Sequence, residues 1–195
     1  MFKQVIVVIT LSLATQANAA NVTQWNFNSV PADSSTSTGA LNPSIGSGSL
    51  STLSVTPSFA SGSANGGSSD PVTVDDTGFG ITGFATQGTE NKLRGLQFNV
   101  STLGFEDIVI NYDLRHSNTS SRYEQFQYSL DGTSFIDFAL FDGNAGDTWF
   151  NNRTVDLSSI TGADNNASFA FRVVSAFAPS TSQYAASNSI SSYAT

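Results

Sequence analysis

The sequence has no cysteine, a single histidine and few basic residues, and each scarcity excludes a kind of chemistry. Without cysteine the chain cannot form disulfides, thiolate zinc sites or iron–sulfur clusters. Seven Lys and Arg residues stand against fifteen Asp and Glu, which gives a formal charge of −8. Nucleic-acid binding depends on neutralising phosphates, and an anionic membrane repels an acidic chain, so both partners are disfavoured. Cations and glycans remain as candidate partners.

Long apolar runs are also missing, and the one apolar stretch at the amino end has the pattern of an export signal. Lys3 provides a positive start, Val5 to Leu13 is mostly apolar, and Ala17-Asn18-Ala19 fits a small-residue cleavage site. The stretch is shorter than the roughly 20 residues that a membrane-spanning helix needs. We therefore expect a signal peptide over residues 1–19 and a mature domain, residues 20–195, that works outside the cytoplasm.

From residue 93 onward the sequence has short runs rich in β-branched and aromatic residues, each bounded by Gly, Asn, Asp or Ser. Apolar residues alternate with polar ones in these runs, and no stretch has helical spacing with caps. The pattern predicts an all-β fold, an antiparallel β-sandwich with jelly-roll-like architecture. The predicted strands are Gln24–Asn28, Leu93–Val100, Asp107–Leu114, Arg122–Leu130, Phe135–Phe141, Thr148–Leu157 and Ser168–Val174.

Two other regions are expected to connect strands within this single domain. Residues 31–70 are dominated by Ser, Gly, Thr and Ala, which is typical of a surface loop, although Leu50, Leu53, Val55 and Phe59 could hold short strands. Asp131-Gly132 supplies residues that tolerate positive φ and predicts a tight hairpin turn.

Several runs between residues 88 and 186 resemble a family of exported bacterial proteins. The resemblance extends less specifically over residues 21–195. The runs are Gly88-Thr89-Glu90-Asn91-Lys92, Leu96 to Thr102, Arg115-His116-Ser117-Asn118, Phe126 to Gly132, Gly146 to Arg153, and Phe171-Arg172-Val173-Val174.

Members of that family often carry a PEP-CTERM sorting signal, and their domain is jelly-roll-like. The resemblance implies a place at the cell surface or in an extracellular matrix, without an established activity. Relatives continue past a Tyr-Ala-Thr-like stretch into a further strand, whereas this sequence stops at Tyr193-Ala194-Thr195. We therefore expect a fragment that lacks its last strand and any carboxyl-terminal anchor.

Catalytic patterns are weak. His116 could serve a Ser-His-Asp triad, but no Gly-x-Ser-x-Gly motif occurs, and a locally hydrogen-bonded histidine at the end of a strand is the favoured interpretation. Asp113 and Glu124 lie on consecutive predicted strands and could approach each other as the acid pair of a glycoside hydrolase. Acids on strands more often face solvent or pair with arginine. We therefore predict a protein that is not an enzyme.

Calcium is the one cofactor that the sequence suggests. Asp142, Asn144 and Asp147 cluster oxygen ligands around two glycines, although the run lacks the twelve-residue EF-hand pattern. A second group of acids, Asp70 with Asp75 and Asp76, is a further candidate. Ordinary turns are the favoured interpretation of both groups.

The last candidate is a polar sheet face that could bind sugar hydroxyls through amides, charges and an aromatic ring. A solvated sheet surface has the same composition. The function predicted is a non-catalytic exported surface or matrix protein with a glycan or exopolysaccharide as candidate ligand. A hydrolase, or the accessory domain of one, is the alternative, and a purely structural surface protein is a third. The face comprises Asn111, Asp113, Arg115, Tyr123, Gln125 and Gln127, with Gln97, Asn99 and Arg172 as further members.

Overall fold

The computed structural model describes residues 20–71 and 74–195, so the predicted signal peptide lies outside the described residues. Regular structure in this part of the chain is β-strand apart from two 3-10 turns, Ala64–Gly66 and Thr161–Ala163, and no helix in it is long and apolar enough to cross a membrane. The strands are β1 Thr23–Gln24, β2 Ile45–Gly46, β3 Ser49–Leu53, β4 Thr56–Ser61, β5 Thr77–Thr82, β6 Gly95–Asn99, β7 Val109–His116, β8 Tyr123–Ser129, β9 Ile136–Asp142, β10 Thr148–Asp156 and β11 Ala170–Ala176.

All strand pairs are antiparallel. The largest sheet has the order β3-β6-β11-β8-β9, and β7 pairs with β10 in a second sheet. Two further two-stranded antiparallel pairs are β1 with β2 and β4 with β5. The prediction of an all-β, antiparallel fold is therefore confirmed.

The core lies between the five-stranded sheet and the β7–β10 pair, as in a sandwich. Phe126 and Leu157 are both 0% exposed and belong to one apolar cluster with Val155 of β10 and Phe171 of β11. Successive strand residues point to opposite faces, so the period of two read from the sequence identifies the buried side. The jelly-roll connectivity stays a prediction.

The predicted strands from residue 93 onward lie within two residues of the observed ones at each end. Within residues 31–70 the chain forms β2, β3 and β4, so this region is more than a loop. The first predicted strand is shorter than expected and ends at Gln24, and Phe27 has a positive φ of 61°. Trp149 donates from Nε1 to the carbonyl of Ala64 at 2.7 Å and so holds the first 3-10 turn against β10.

Strand β9 lies at the edge of the five-stranded sheet and contains a bulge. Phe126 of β8 is opposite Ala139, and the next residue, Gln127, is opposite Asp137. Phe138 is therefore the extra residue, and the strand bends at that point. The bulge keeps Asp137 on the same side of the sheet as Gln127.

Truncating the central ring of the core should be costly. We expect Phe126→Ala to lower the free energy of unfolding by about 3–5 kcal/mol, because it removes buried apolar area and leaves a cavity. Ile190→Ala is the control, since Ile190 is 91% exposed and should change stability by less than about 0.5 kcal/mol. Urea unfolding followed by tryptophan fluorescence measures both, and similar losses in the two variants would contradict the assigned core.

Stability should fall at alkaline pH through Tyr193. Burial, with a smaller contribution from Tyr184, raises the pKa of Tyr193 to about 12, and its hydroxyl donates to the Ala85 carbonyl at 2.6 Å. The folded state therefore holds this proton more tightly than the unfolded chain, whose tyrosine pKa is about 10. The stabilisation is complete below pH 10 and is lost as pH rises toward 12. Denaturant midpoints across this window should fall less steeply in Tyr193→Phe than in the wild type, and equal slopes would contradict the assignment.

Candidate functional site

The face of the five-stranded sheet that points away from the core has a row of polar side chains across four neighbouring strands. Gln97 of β6 is opposite Arg172 of β11, Arg172 is opposite Gln127 of β8, and Gln127 is opposite Asp137 of β9. Their neighbours in sequence, such as Phe171, point into the core. We call these four residues the outer-face row.

Hydrogen bonds fix the members of the outer-face row in two pairs. Arg172 donates from Nε to Gln97 Oε1 at 2.8 Å, and Gln127 donates from Nε2 to Asp137 Oδ1 at 2.8 Å. Lys92 contacts the other carboxylate oxygen of Asp137. Burial alone would raise the pKa of Asp137, but hydrogen bonds from Lys92 and Gln127 outweigh it and lower that pKa. Asp137 is therefore held as a charged carboxylate.

An aromatic ring stands against the middle of the row because of the predicted hairpin turn. Asp131 accepts from the backbone N–H of Ser134 at 2.6 Å and of Thr133 at 2.8 Å, and these bonds hold the pKa of Asp131 well below its usual range. After the turn, the Phe135 ring packs against the Arg172 guanidinium, and the Arg172 Cζ lies 3.5 Å from the ring centroid. This is a cation–π geometry that restricts the guanidinium to one position.

One atom of the outer-face row is buried without a partner. Gln127 is 8% exposed, and its Oε1 has no hydrogen-bond partner among the described residues. Buried acceptors are nearly always satisfied, so an unpaired one calls for an explanation such as a ligand or an ordered water. Gln97 also donates from Nε2 to Asn99 at 2.9 Å. Asn99 lines an open hollow of about 300 Å³ at the end of the sheet. The hollow is also lined by the Asp131–Thr133 turn and by Ser168.

The structure divides the six residues of the predicted ligand face between two sheets. Asn111, Asp113 and Arg115 lie on β7, whose hydrogen-bonded neighbour is β10, whereas Tyr123, Gln125 and Gln127 lie on β8 in the five-stranded sheet. They do not form one face. The structure instead brings Gln127 together with Gln97, Asn99 and Arg172, the further members considered from the sequence.

The other five residues already have partners within the protein. Asn111 accepts from the Thr154 hydroxyl, Asp113 accepts from Ser69 and from the backbone N–H of Asn152, and Arg115 donates to Asn65. Gln125 donates from Nε2 to the backbone carbonyls of Phe126 and Ala139, at 3.0 and 2.9 Å. The Tyr123 ring has the Arg122 guanidinium 5.3 Å from its centroid.

His116 is the last residue of β7 and is almost completely buried. Its Nδ1 lies 2.8 Å from the carbonyl of Ser121 and its Nε2 lies 2.8 Å from Glu124 Oε2. The expectation of a locally hydrogen-bonded histidine at a strand end is met by the Ser121 contact, and Glu124 is an additional, buried partner. Both ring nitrogens face oxygen acceptors, so neither is free to act as a general base.

Glu124 also forms an ion pair across the two sheets. Arg153 Nε of β10 lies 3.0 Å from Glu124 Oε1, but the two atoms are misaligned for a hydrogen bond and have no other partner among the described residues. Burial and the charge of Glu124 raise the pKa of Tyr112, whose buried hydroxyl is likewise unpaired there. The backbone at Gly143 packs directly against the His116 ring. Only glycine fits there, because a Cβ at that position would lie 2.3 Å from His116 Nε2.

The sequence suggested that Asp113 and Glu124 lie on adjacent strands, and the strand pairing places them in different sheets. Strands β7 and β8 follow each other in sequence but belong to different sheets, so the two acids are not neighbours on adjacent strands. Glu124 is engaged inside the core, and Asp113 is held by Ser69 and Asn152. The two acids therefore do not face each other across hydrogen-bonded neighbouring strands, as the sequence had suggested.

Both carboxylates of the first calcium candidate already have partners within the protein. The Asp142 carboxylate receives two hydrogen bonds of 2.6 Å from Arg122, and Asp147 accepts from Asn118 at 2.6 Å with Arg115 3.7 Å away. Asn144 is exposed between them. An arginine beside each carboxylate lowers its attraction for a cation, so calcium binding by this turn stays a prediction.

The second acidic group is spread over two environments. Asp75 accepts from the Ser29 N–H and the Thr77 hydroxyl, whereas burial together with the charges of Asp113 and Asp76 raises the pKa of Asp70. Over residues 20–71 and 74–195, no set of three or more His, Cys, Asp or Glu side chains is placed to hold a metal ion.

Sequence reasoning missed three members of the candidate site, namely Phe135, Asp137 and Lys92. Phe135 and Asp137 follow the Asp131-Gly132 turn, and that turn was the available signal that this segment returns over the sheet. Lys92 lies in a loop and reaches Asp137 across 45 positions, which no local pattern indicates.

Comparison with models of known families, with curated proteins and with solved structures gives no match for this chain.

Breaking the buried ion pair should destabilise the fold. We expect Glu124→Gln to lower the free energy of unfolding by about 3 kcal/mol, because Arg153 would remain buried without its counter-charge. Glu90→Gln is the matched control, since the Glu90–Arg94 pair is more exposed and should contribute less than about 1 kcal/mol. Chemical denaturation measures both.

The double variant Glu124→Gln with Arg153→Met separates the cost of an unpaired buried charge from the cost of altered side-chain packing. It should recover part of the loss of Glu124→Gln, since the unpaired charge is then gone. Additive losses in the double variant would contradict an ion pair between these two residues.

Proposed function

We propose that this chain is a non-catalytic, exported domain of the cell surface or extracellular matrix that binds carbohydrate through the outer-face row. The observation that carries the proposal is the buried, unpaired Oε1 of Gln127 beside the fixed guanidinium of Arg172. Both groups are held by protein partners, and each keeps hydrogen-bonding capacity that no described residue uses.

The chemistry of the row suits sugars. Sugar hydroxyls are bound by directional hydrogen bonds from planar amides and charged groups, with an aromatic ring against the apolar face of the sugar. Gln97, Gln127, Arg172 and Asp137 provide donors and acceptors in fixed positions, and Phe135 provides the ring. Among the residues that line the open hollow of about 300 Å³, Asn99 is hydrogen-bonded to Gln97 of the row.

Export and surface placement rest on the sequence. The signal-like pattern of residues 1–19 and the resemblance to exported bacterial proteins support them. Carbohydrate is a frequent neighbour of a protein outside the cell, so compartment and site chemistry agree.

The alternative of a hydrolase receives less support from the geometry. His116 has both ring nitrogens engaged, and Asp113 and Glu124 lie in different sheets. The accessory domain of a hydrolase would use the same glycan-binding face, and only the sequence attached to it would differ.

Glycan binding should depend on Gln127. We expect the purified domain to bind members of a glycan array, and Gln127→Ala to weaken that binding about tenfold, since it removes the unpaired acceptor. Asn111→Ala is the control, because Asn111 is a polar residue of the other sheet and bonds Thr154. It should leave affinity unchanged.

Calorimetry on the best array ligand measures the affinities, and thermal melts check that each variant is folded. Absence of binding to every glycan would overturn the proposal and favour a purely structural role. Equal losses in Gln127→Ala and Asn111→Ala would place any binding elsewhere. Release of reducing sugar from a bound polysaccharide would overturn the non-catalytic part.

A further inference from the structure

Arg172 is exceptional among the basic side chains of the described residues. Each of the other basic residues there lies within 4 Å of a carboxylate, and Arg172 does not. The pairs are Lys92 with Asp137, Arg94 with Glu90, Arg115 with Asp147, Arg122 with Asp142, and Arg153 with Glu124. In a chain with more than twice as many acids as bases, a cation without a carboxylate partner is unexpected.

The guanidinium of Arg172 is held in one position by neutral groups. Its Nε donates to Gln97 Oε1 at 2.8 Å, and the Phe135 ring lies against it at 3.5 Å. Its terminal Nη nitrogens form no hydrogen bond with the described residues. Partial burial disfavours the charge and lowers the pKa of Arg172, so an anion at this point would restore a missing interaction.

The neighbouring Gln127 requires the opposite kind of partner. Its Nε2 is bonded to Asp137, so its buried Oε1 can be satisfied only by a donor. Gln127 and Arg172 are directly opposite each other on adjacent strands, where side chains start about 5 Å apart. A ligand that fits both must therefore present an anionic acceptor and a donor within a few ångströms.

A simple carboxylate ion such as acetate has acceptors but lacks the donor. A neutral sugar has hydroxyl donors but lacks the anion. A sugar acid has both on one ring, since its carboxylate is attached to a ring that also carries hydroxyl groups. Planar guanidinium also matches the geometry of a carboxylate better than that of a single hydroxyl.

We propose that the outer-face row binds an acidic sugar residue, with its carboxylate on the Nη nitrogens of Arg172 and a hydroxyl donating to Gln127 Oε1. This inference rests on the proposed glycan-binding function and names its ligand class. The formal charge of −8 opposes densely charged polyanions. The fitting ligand is an acidic residue spaced along an otherwise neutral glycan.

The test uses an oligosaccharide that contains one glucuronic acid and the same oligosaccharide after reduction of its carboxyl group to a primary alcohol. We expect the wild type to bind the acidic form about tenfold or more tightly than the reduced form, since reduction replaces charge-assisted hydrogen bonds to the carboxylate with weaker ones to an alcohol. Arg172→Gln should abolish this preference while keeping weak binding to both forms.

Arg115→Gln is the control, because Arg115 has the same charge but lies on β7 with Asp147 nearby. It should keep the full preference for the acidic form. Thermal melts establish that both variants are folded, and Arg172→Lys, which retains charge but loses the planar fork, should recover the preference only in part.

The outcomes separate the two proposals. Equal affinity of the wild type for acidic and reduced forms would overturn the acidic-sugar assignment and leave glycan binding in place. A preference that persists in Arg172→Gln would also overturn it. Failure of the wild type to bind either form, or any glycan of the array, would overturn both proposals.

Discussion

Strand β11 is the element on which the two faces of the large sheet depend. It is the central strand, and its Phe171 ring stacks nearly parallel to Phe98 at 4.7 Å and to Phe126 at 5.5 Å. Because successive side chains alternate, seating Phe171 and Val173 in the core requires Arg172 to project from the opposite face. A shift of the strand register by one residue would exchange the inward-facing and outward-facing side chains, so the packing energy of the core also fixes the position of the partly buried guanidinium.

The alternation of apolar residues was enough to predict which residues face the core. The alternation places Phe126 and Tyr128 on one face of their strand and Phe169 and Phe171 on one face of theirs, and all four belong to the buried cluster. The pattern does not specify the partner of each strand, because a buried face can be covered by any other apolar face. Consecutive strands β7 and β8 therefore looked like neighbours, although the chain crosses between sheets at residues 117–122. The predicted ligand face was divided for that reason.

The molecule has two polar networks with different access to solvent. Glu124 shares a face with Phe126 and points inward, where Arg153 and His116 reach it from the opposite sheet. Such a cluster ties two sheets in one relative position, because a shift would leave a charge unpaired in the interior. The outer-face row is also held by hydrogen bonds and leaves Gln127 Oε1 and the Nη nitrogens of Arg172 unpaired within the described part of the chain. The inner network has unpaired buried atoms as well, but it lies between the two sheets, whereas Arg172 is only partly buried on the outside of one sheet. This position distinguishes the candidate binding surface from the structural network.

The bulge in β9 has a consequence for solubility. An edge strand with a free row of backbone groups is a template for association with another chain, and β9 also exposes Ile136, Phe138 and Leu140 by 41–50%. The extra residue interrupts the regular spacing that a second strand would need. Asp137 and Asp142, each paired with a basic side chain, place charges near the start and at the end of the same edge strand. The irregularity that aligns Asp137 with Gln127 thus also protects the sheet from growing by addition of further strands.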